Sequence, residues 1–332
     1  MIPSRPVFVV GDIGGTHARL SLLGPTGRTL RQVVLESRKY PSLEAAVREF
    51  LDEARPARKV KAAAFGIAGP VVNGRCVATN LPWVVDERTL SRKLAIKRVT
   101  LLNDLVALSL GTLGLPRTKL HLLGDAGAPK KKGGNIAVLA AGTGLGEAVL
   151  VWSGDRFLPG ATEGGHADFA PRDEGEVELL QFLRSRFGHV SYERILSGAG
   201  LGNVYDFFRQ KKGLEETSEN AHSIETAADR NAAIAQFGMS GRSETAARAV
   251  DLFAGVYGAE AGNLALKTMA IGGVYVCGNI AVKMLSVFDR GGFRRAFADK
   301  GRFTPFMEKI PVAVVLDNDV GLAGAARVAL GA

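Results

Sequence analysis

The sequence has little of what an extracellular or membrane protein needs. It contains only two cysteines, Cys76 and Cys277, which is too few for a disulfide scaffold and is typical of a reducing compartment. It contains no run of about 18 apolar residues, the length that a membrane-spanning helix requires. The apolar run at residues 6–10 is too short for the core of a signal peptide. We therefore expect a cytoplasmic protein without a membrane partner.

Common nucleotide-binding and metal-binding signatures are also absent. No G-x-x-x-x-G-K sequence followed by Ser or Thr occurs, which excludes a P-loop. The sequence Gly142–Gly146 does not match G-x-G-x-x-G and leads into a strand pattern, which argues against a Rossmann dinucleotide site. His166 has no second His or Cys at metal-ligand spacing, so we expect no structural zinc.

The net charge of +9 is not accompanied by a nucleic-acid motif. The chain has 42 Lys and Arg residues against 33 Asp and Glu residues, and the basic residues of its first third are scattered rather than clustered with aromatic ones. The lysines at 130–132 lie between Gly-Ala-Pro and Gly-Gly, which favours a solvated loop over a binding patch. We therefore expect no nucleic-acid partner.

Glycine, in contrast, is abundant: 41 of 332 residues, or about 12% against a typical value of about 7%. The glycines cluster after apolar runs, where a chain turns tightly or approaches a ligand closely. A strand at residues 7–10, a bend at 11–16 and a return strand at 18–23 predict a hairpin with a glycine-rich turn. The same unit recurs at residues 136–152, which predicts two similar domains that face each other across a cleft.

Strand patterns alternate with helix patterns in the first part of the chain. An amphipathic helix is predicted at residues 41–54, and a buried strand follows at 62–67. A short strand at 98–102 ends at Asn103-Asp104, before a helix at 105–113. This alternation predicts an α/β fold.

The two glycine-rich turns are candidate phosphate sites, because exposed N–H groups in such turns can converge on an anion. Either turn alone is better explained as a structural turn. Two turns in corresponding places, one of them carrying Asp12, favour a clamp for a magnesium–nucleotide complex.

Six motifs resemble, in order, those of the bacterial glucokinases, which belong to the sugar kinase/heat-shock-cognate/actin superfamily. The motifs span nearly the whole chain and lie at residues 11–19, 102–104, 142–146, 163–171, 191–198 and 272–278. The resemblance implies two actin-like ATPase domains of the ribonuclease H-like type, with the C-terminal helix returning to the first. The implied domains are residues 1–114 with 317–332, and residues 115–316. A homodimer is also implied.

The resemblance implies an ATP-dependent enzyme that phosphorylates glucose to glucose 6-phosphate. Asp104 is implied as the general base. The implied sugar-binding residues are Asn103, Glu163, His166 and Glu193, and Asn80 is a further candidate on the sugar side. Asp12 is implied as a member of the Mg²⁺ shell, where it acts through water. The implied nucleotide-binding residues are Asp12, Gly14, Gly15, Thr16, Gly142, Thr143, Gly144, Gly273 and Gly278.

The chain departs from the family pattern at two positions, and alternatives to several of these assignments are open. His17 stands where the family commonly has Asn, and Asn279 stands where it commonly has Gly, so we expect Asn279 near the adenine. Local sequence alone explains Asp104 as a helix N-cap. Two alternative functions for this chain are open: it is a non-catalytic regulator that responds to sugar, or an actin-like ATPase that is indifferent to sugar. The hexose preferred at carbon 2 and the phosphoryl donor are also open.

Overall fold

The apolar runs predicted as buried strands form the centres of two sheets in the computed structural model, which describes residues 6–56 and 58–331. The strands, in chain order, are β1 (Val7–Ile13), β2 (His17–Leu23), β3 (Thr29–Glu36), β4 (Val60–Ile67), β5 (Val71–Val72), β6 (Arg75–Val77), β7 (Val84–Asp86), β8 (Arg98–Asn103), β9 (Leu120–Leu122), β10 (Ile136–Ala141), β11 (Leu145–Trp152), β12 (Phe157–Thr162), β13 (Gly273–Cys277) and β14 (Val312–Val315). The helices are α1 (Leu43–Ala54), α2 (Glu87–Leu94), α3 (Asp104–Thr112), α4 (Glu174–Phe187), α5 (Gly198–Gln210), α6 (Ser218–Glu225), α7 (Arg230–Met239), α8 (Glu244–Thr268), α9 (Asn279–Lys283), α10 (Leu285–Phe288), α11 (Gly292–Ala298), α12 (Thr304–Met307) and α13 (Val320–Leu330). The predicted α/β fold is confirmed.

The chain divides into two compact units. The first contains the described residues up to Pro116, the segment Pro159–Ala161 and the described residues from Asp317 onward. The second contains Arg117–Leu158 and Thr162–Leu316. No sequence pattern indicates that Pro159–Ala161 groups with the first unit. Within the described ranges, no helix combines the length and apolar character needed to cross a membrane.

The first unit is built on a five-stranded sheet in the order β3-β2-β1-β4-β8. Strand β1 pairs antiparallel with β2 and parallel with β4, so the glycine turn lies at the carboxyl end of β1. Helix α1 begins where Ser42 accepts a hydrogen bond from the Ala45 N–H at 3.2 Å, as its sequence predicts. Helix α13 packs on the other face of the sheet through Leu322 and its neighbours, against apolar side chains of β1 and β4.

The second unit contains a six-stranded sheet in the order β12-β11-β10-β13-β14-β9. Strands β10 and β11 form an antiparallel hairpin, and β10 pairs parallel with β13, which repeats the arrangement around β1. The 25-residue helix α8 lies in the core of this unit. Its Tyr257 hydroxyl accepts a hydrogen bond from the Ala141 N–H at 3.0 Å, directly before the second glycine turn. That contact anchors the end of β10 to the core helix.

Candidate active site

Asp12 is the polar residue of an otherwise buried strand. It lies opposite Arg19 in the β1–β2 hairpin, with 3.6 Å between Arg19 Nη1 and Asp12 Oδ2. Burial raises the pKa of the Asp12 carboxyl, Arg19 lowers it, and nearby Asp319 raises it further. The side chain is nevertheless 30% exposed, so it can reach a ligand. Gly321 leaves room for it, because a Cβ there would lie 3.3 Å from Asp12 Oδ2.

The first glycine turn is held by hydrogen bonds from the chain that follows β3. The Ser37 hydroxyl donates to the Gly14 carbonyl at 2.7 Å, and the Ser37 N–H donates to the Thr16 carbonyl at 2.9 Å. Thr16 is exposed at the tip of the turn. Asn80 packs beside Gly15, where a Cβ would lie 2.6 Å from the Asn80 Cβ. The structure thus places Asn80 next to the first candidate phosphate turn.

These residues fit a magnesium ion that is held mainly by nucleotide and water. Among the described residues, no group of three or more His, Cys, Asp or Glu side chains is arranged to hold a metal. Mg²⁺ commonly uses one or two carboxylates together with substrate phosphates and water. Asp12 can supply the single carboxylate that such a site needs. A cation beside Asp12 would also offset the cost of burying its charge near Asp319.

Asn103, and not Asp104, caps helix α3. The Asn103 Oδ1 atom accepts hydrogen bonds from the N–H groups of Leu105 at 3.0 Å and Val106 at 3.3 Å. The Asn103 Nδ2 atom donates to the Gly69 carbonyl at 3.2 Å. Asp104 is the first helical residue, with Oδ1 2.9 Å from the Leu105 N–H. The interpretation of Asp104 as the N-cap is therefore wrong, because the residue before it fills that position.

The second glycine turn meets the start of helix α5. The Gly142 carbonyl accepts a hydrogen bond from the Gly198 N–H at 2.9 Å, while Thr143 is exposed. Gly278 lies against the end of β10 with φ +91°, and a Cβ there would approach the Ala141 carbonyl oxygen to 2.7 Å. Glycine is thus required at 278 by both its backbone angle and the close approach of β10.

A cavity of about 580 Å³ opens beside this turn within the second unit. Its lining combines apolar side chains with a few polar ones, as expected for a nucleoside pocket. The lining residues are Gly142, Thr143, Ser197, Gly198, Leu201, Asp229, Asn231, Ala232, Ala235, Gln236, Met239, Phe253, Ile280, Lys283 and Met284. Asn279 begins α9 directly before Ile280, which lines the cavity, and is not itself part of the lining.

Gly273 lies at the opposite end of β13 from Gly278 and the second glycine turn. Its register partner is Ile136, at the start of β10, whereas Cys277 pairs with Ala140 next to the turn. A Cβ at Gly273 would meet Pro129. Its φ of +123° and this close packing give Gly273 a structural reason to be glycine.

The candidate sugar residues of the second unit lie near the second turn. Glu193 Oε2 accepts a hydrogen bond from the Leu145 N–H at 3.0 Å, and a Cβ at Gly144 would overlap that oxygen. His166 Nδ1 lies 4.0 Å from Glu193 Oε1. Glu163 directly precedes the 3₁₀ turn at Gly164–His166. The structure therefore brings His166 and Glu193 together beside Gly144.

Sequence reasoning missed most of the cavity lining. Asp229, Asn231 and Gln236 come from the polar stretch at residues 209–245, whose pattern predicts helix and exposed loops. No glycine motif or charge pattern marks these residues. The only available signal is the helical spacing of Ala232, Ala235 and Met239 along α7, which also fits ordinary packing.

Comparison with solved structures identifies the class of fold to which this chain belongs. A glucokinase from an Antarctic psychrotroph superposes with a TM-score of 0.82 at 27% identity, covering 98% of this chain and 99% of that one. A ROK family glucokinase from Streptomyces griseus superposes with a TM-score of 0.66 at 20% identity, covering 98% and 100%. The chain therefore has the two-domain actin-like sugar kinase fold.

Sequence comparison narrows the class to a family. The model of the Glucokinase family matches residues 9–332. A glucokinase from Synechocystis sp. is 39% identical over 345 residues, which covers 96% of each chain. The chain belongs to the glucokinase family, and these relatives favour neither the regulator nor the sugar-indifferent ATPase.

Proposed function

We propose that this chain transfers the γ-phosphoryl group of ATP to the 6-hydroxyl of glucose, giving glucose 6-phosphate and ADP. Family membership supports the reaction. The observation that carries the residue assignment is the cap of α3. Because Asn103 caps the helix, the carboxylate of Asp104 is not needed for capping. A carboxylate at this position can take the proton of the sugar hydroxyl.

Asp104 acts as the general base in this proposal. It accepts the 6-hydroxyl proton while the sugar oxygen bonds to the γ-phosphorus and the bond to the β-bridging oxygen breaks, so that ADP leaves. Gly14, Gly15 and Thr16 supply one phosphate turn, and Gly142, Thr143 and Gly144 supply the other. Mg²⁺ neutralises charge on the phosphates when it is bound, and Asp12 would hold it.

Glucose is held by Asn103, Glu163, His166 and Glu193 in this proposal, with Asn80 as a further contact. The proximity of His166 and Glu193 supports the assignment of these two to one ligand. The adenosine part of ATP occupies the cavity beside Gly142, whose mixed lining suits a nucleoside. We also propose a homodimer in the cytoplasm, on the strength of the family resemblance and of two buried free thiols.

The sugar assignment predicts weaker glucose binding after truncation. Glu163→Ala, His166→Ala and Glu193→Ala should each cost about 1–3 kcal/mol of binding free energy, because the sugar hydroxyl loses its partner. Isothermal titration calorimetry with glucose measures this directly. Glu178→Ala, which removes a surface ion pair of α4 with Lys212, is the matched control and should bind normally. Normal binding by all three site variants would overturn the assignment.

The nucleoside assignment predicts that filling the cavity raises the KM for ATP. Ala232→Trp places a large side chain into the lining from α7. Steric overlap that costs about 1–3 kcal/mol corresponds to a rise in KM of roughly 5- to 150-fold, with the Kd for glucose unchanged. Glu178→Ala on α4 is the control and should leave the KM for ATP unchanged. An unaltered KM in Ala232→Trp would place the nucleoside elsewhere.

A further inference from the structure

Two glutamates are buried together beneath the candidate sugar residues of the second unit. Glu147 on β11 is 2% exposed, and Glu260 on α8 is 0% exposed. They lie close enough for Glu260 to raise the pKa of the Glu147 carboxyl, in part as a hydrogen-bond partner. The Oε1 atoms of both are buried and, within the described residues, have no other hydrogen-bond donor. Two acceptor atoms without donors are costly unless a proton lies between them.

A single proton shared by the two carboxyl groups offsets this cost. Burial and the neighbouring Glu260 raise the pKa of Glu147 to about 8. Glu260 keeps better partners for a negative charge: Asn263 Nδ2 donates to its Oε2 at 2.9 Å, and Lys267 Nζ lies 3.9 Å from its Oε1. Tyr192 also donates a hydrogen bond to Glu260. Burial raises the pKa of Glu260 as well, but these donors favour its charged form, so we assign the proton to Glu147.

Each glutamate touches one of the two segments that carry candidate sugar residues. On one side, a Cβ at Gly164 would overlap Oε2 of Glu147, so the backbone after Glu163 rests on this carboxyl. Thr162 connects the same segment to β11, because its hydroxyl donates to the Glu147 carbonyl at 3.0 Å and accepts from the Gly164 N–H at 3.2 Å. The first segment thus depends on where Glu147 lies.

On the other side, Glu260 contacts the residue before Glu193. Asn263 Nδ2 donates to the Tyr192 hydroxyl at 3.0 Å as well as to Glu260, so the three side chains form one network. Tyr192 is buried and begins the 3₁₀ turn at Tyr192–Arg194. The second segment thus depends on where Glu260 lies.

We propose that Glu147 is a carboxylic acid that donates its proton to Glu260, and that this hydrogen bond positions the segment at 163–166 relative to the turn at 192–194. Glu147 and Glu260 are positioning residues, since they act through the backbone of Glu163 and through Tyr192. The expected effect of this hydrogen bond on glucose affinity rests on the proposed function. The expected effect on the positions of the two segments does not.

We expect residues 163–166 to lose order when the pH rises above the pKa of Glu147. When Glu147 loses its proton, two buried carboxylates face each other and repel, and the donor between them is gone. Other charged or titratable groups also act on the pair or its partners. They are Tyr192, Lys267, Lys300, Tyr257 and, through Tyr192, Glu176.

The experiment compares the full-length wild type with Glu147→Gln and with Glu244→Gln. The amide introduced by Glu147→Gln keeps a donor toward Glu260 but cannot ionise, while Glu244 is an exposed glutamate on the same helix as Glu260 and serves as control. Hydrogen exchange of residues 163–166 is measured without sugar at pH 7 and pH 9, corrected for the intrinsic rate. Calorimetry with glucose gives the Kd at both pH values.

Wild type and Glu244→Gln should lose protection at residues 163–166 at pH 9, and their Kd for glucose should rise about tenfold as the protonated fraction falls. Glu147→Gln should be unchanged between the two pH values in both measurements. Equal protection of wild type at both pH values, or the same loss in Glu147→Gln, would overturn the proposal. If the protection of residues 163–166 depends on pH but the protein binds no glucose at either pH, the proposed proton on Glu147 is supported and the assignment of the sugar residues is wrong.

Discussion

Asp104→Asn is expected to lower kcat by about 10²–10⁴, the usual worth of general-base assistance. Asparagine keeps the shape of the side chain and can still orient the sugar hydroxyl, but it cannot accept the proton. The affinities for glucose and ATP should therefore change little. Steady-state kinetics and calorimetry on the same preparation separate the two effects.

Turnover distinguishes this account from a capping role, because asparagine caps a helix about as well as aspartate and Asp104→Asn keeps its stability in either case. Asn103 already caps α3, so Asp104→Asn should melt like wild type, whereas Asn103→Ala should lose about 1 kcal/mol of folding free energy. Asp86→Asn is the matched control, because Asp86 is a true N-cap whose Oδ1 accepts from the Thr89 N–H at 2.8 Å. That control should keep full turnover. Near wild-type turnover in Asp104→Asn would contradict the assignment of the base.

Asp12→Asn is expected to lower kcat/KM by about 10³, since losing a metal-holding carboxylate removes several kcal/mol of charge stabilisation from the reaction. Glucose affinity should stay near the wild-type value, and the concentration of Mg²⁺ needed for half-maximal rate should rise. Kinetics over a series of Mg²⁺ concentrations tests this. Wild-type rates at limiting Mg²⁺ would remove Asp12 from the site.

The same variant should be more stable than wild type at neutral pH. Burial raises the pKa of Asp12 above its ordinary value, so the folded state binds the proton more tightly than the unfolded state. Wild-type stability contributed by this group is then present at low pH and is lost as pH rises through the folded pKa. Asp12→Asn lacks that loss, so its melting temperature should exceed that of wild type at pH 7, and the difference should shrink on acidification.

Much of the fold could be predicted because its signals are local. The runs before Gly11 and Gly142 are apolar and end in glycines, which is enough to predict both hairpins. The small sheet of β5, β6 and β7 could not be predicted, because strands of two or three residues carry no periodicity. Its register, such as Val77 opposite Val84, depends on pairing across a loop.

Site details depended on contacts that sequence cannot show. Asn103 and Asp104 are adjacent and both are good capping residues, so only the hydrogen bonds of the folded helix decide which one caps. Gly273 and Gly278 are both glycines near β13, and only the strand register separates their positions. Glu147 and Glu260 are far apart in the chain, and nothing in the sequence pairs them.

The most direct test of the central claim is the rate of ADP formation by the wild-type protein with Mg-ATP, measured with and without glucose. The proposed function predicts that glucose raises this rate strongly and that one glucose 6-phosphate appears for each ADP. An ATPase rate that is the same with and without glucose, or no ADP formation under either condition, would contradict it.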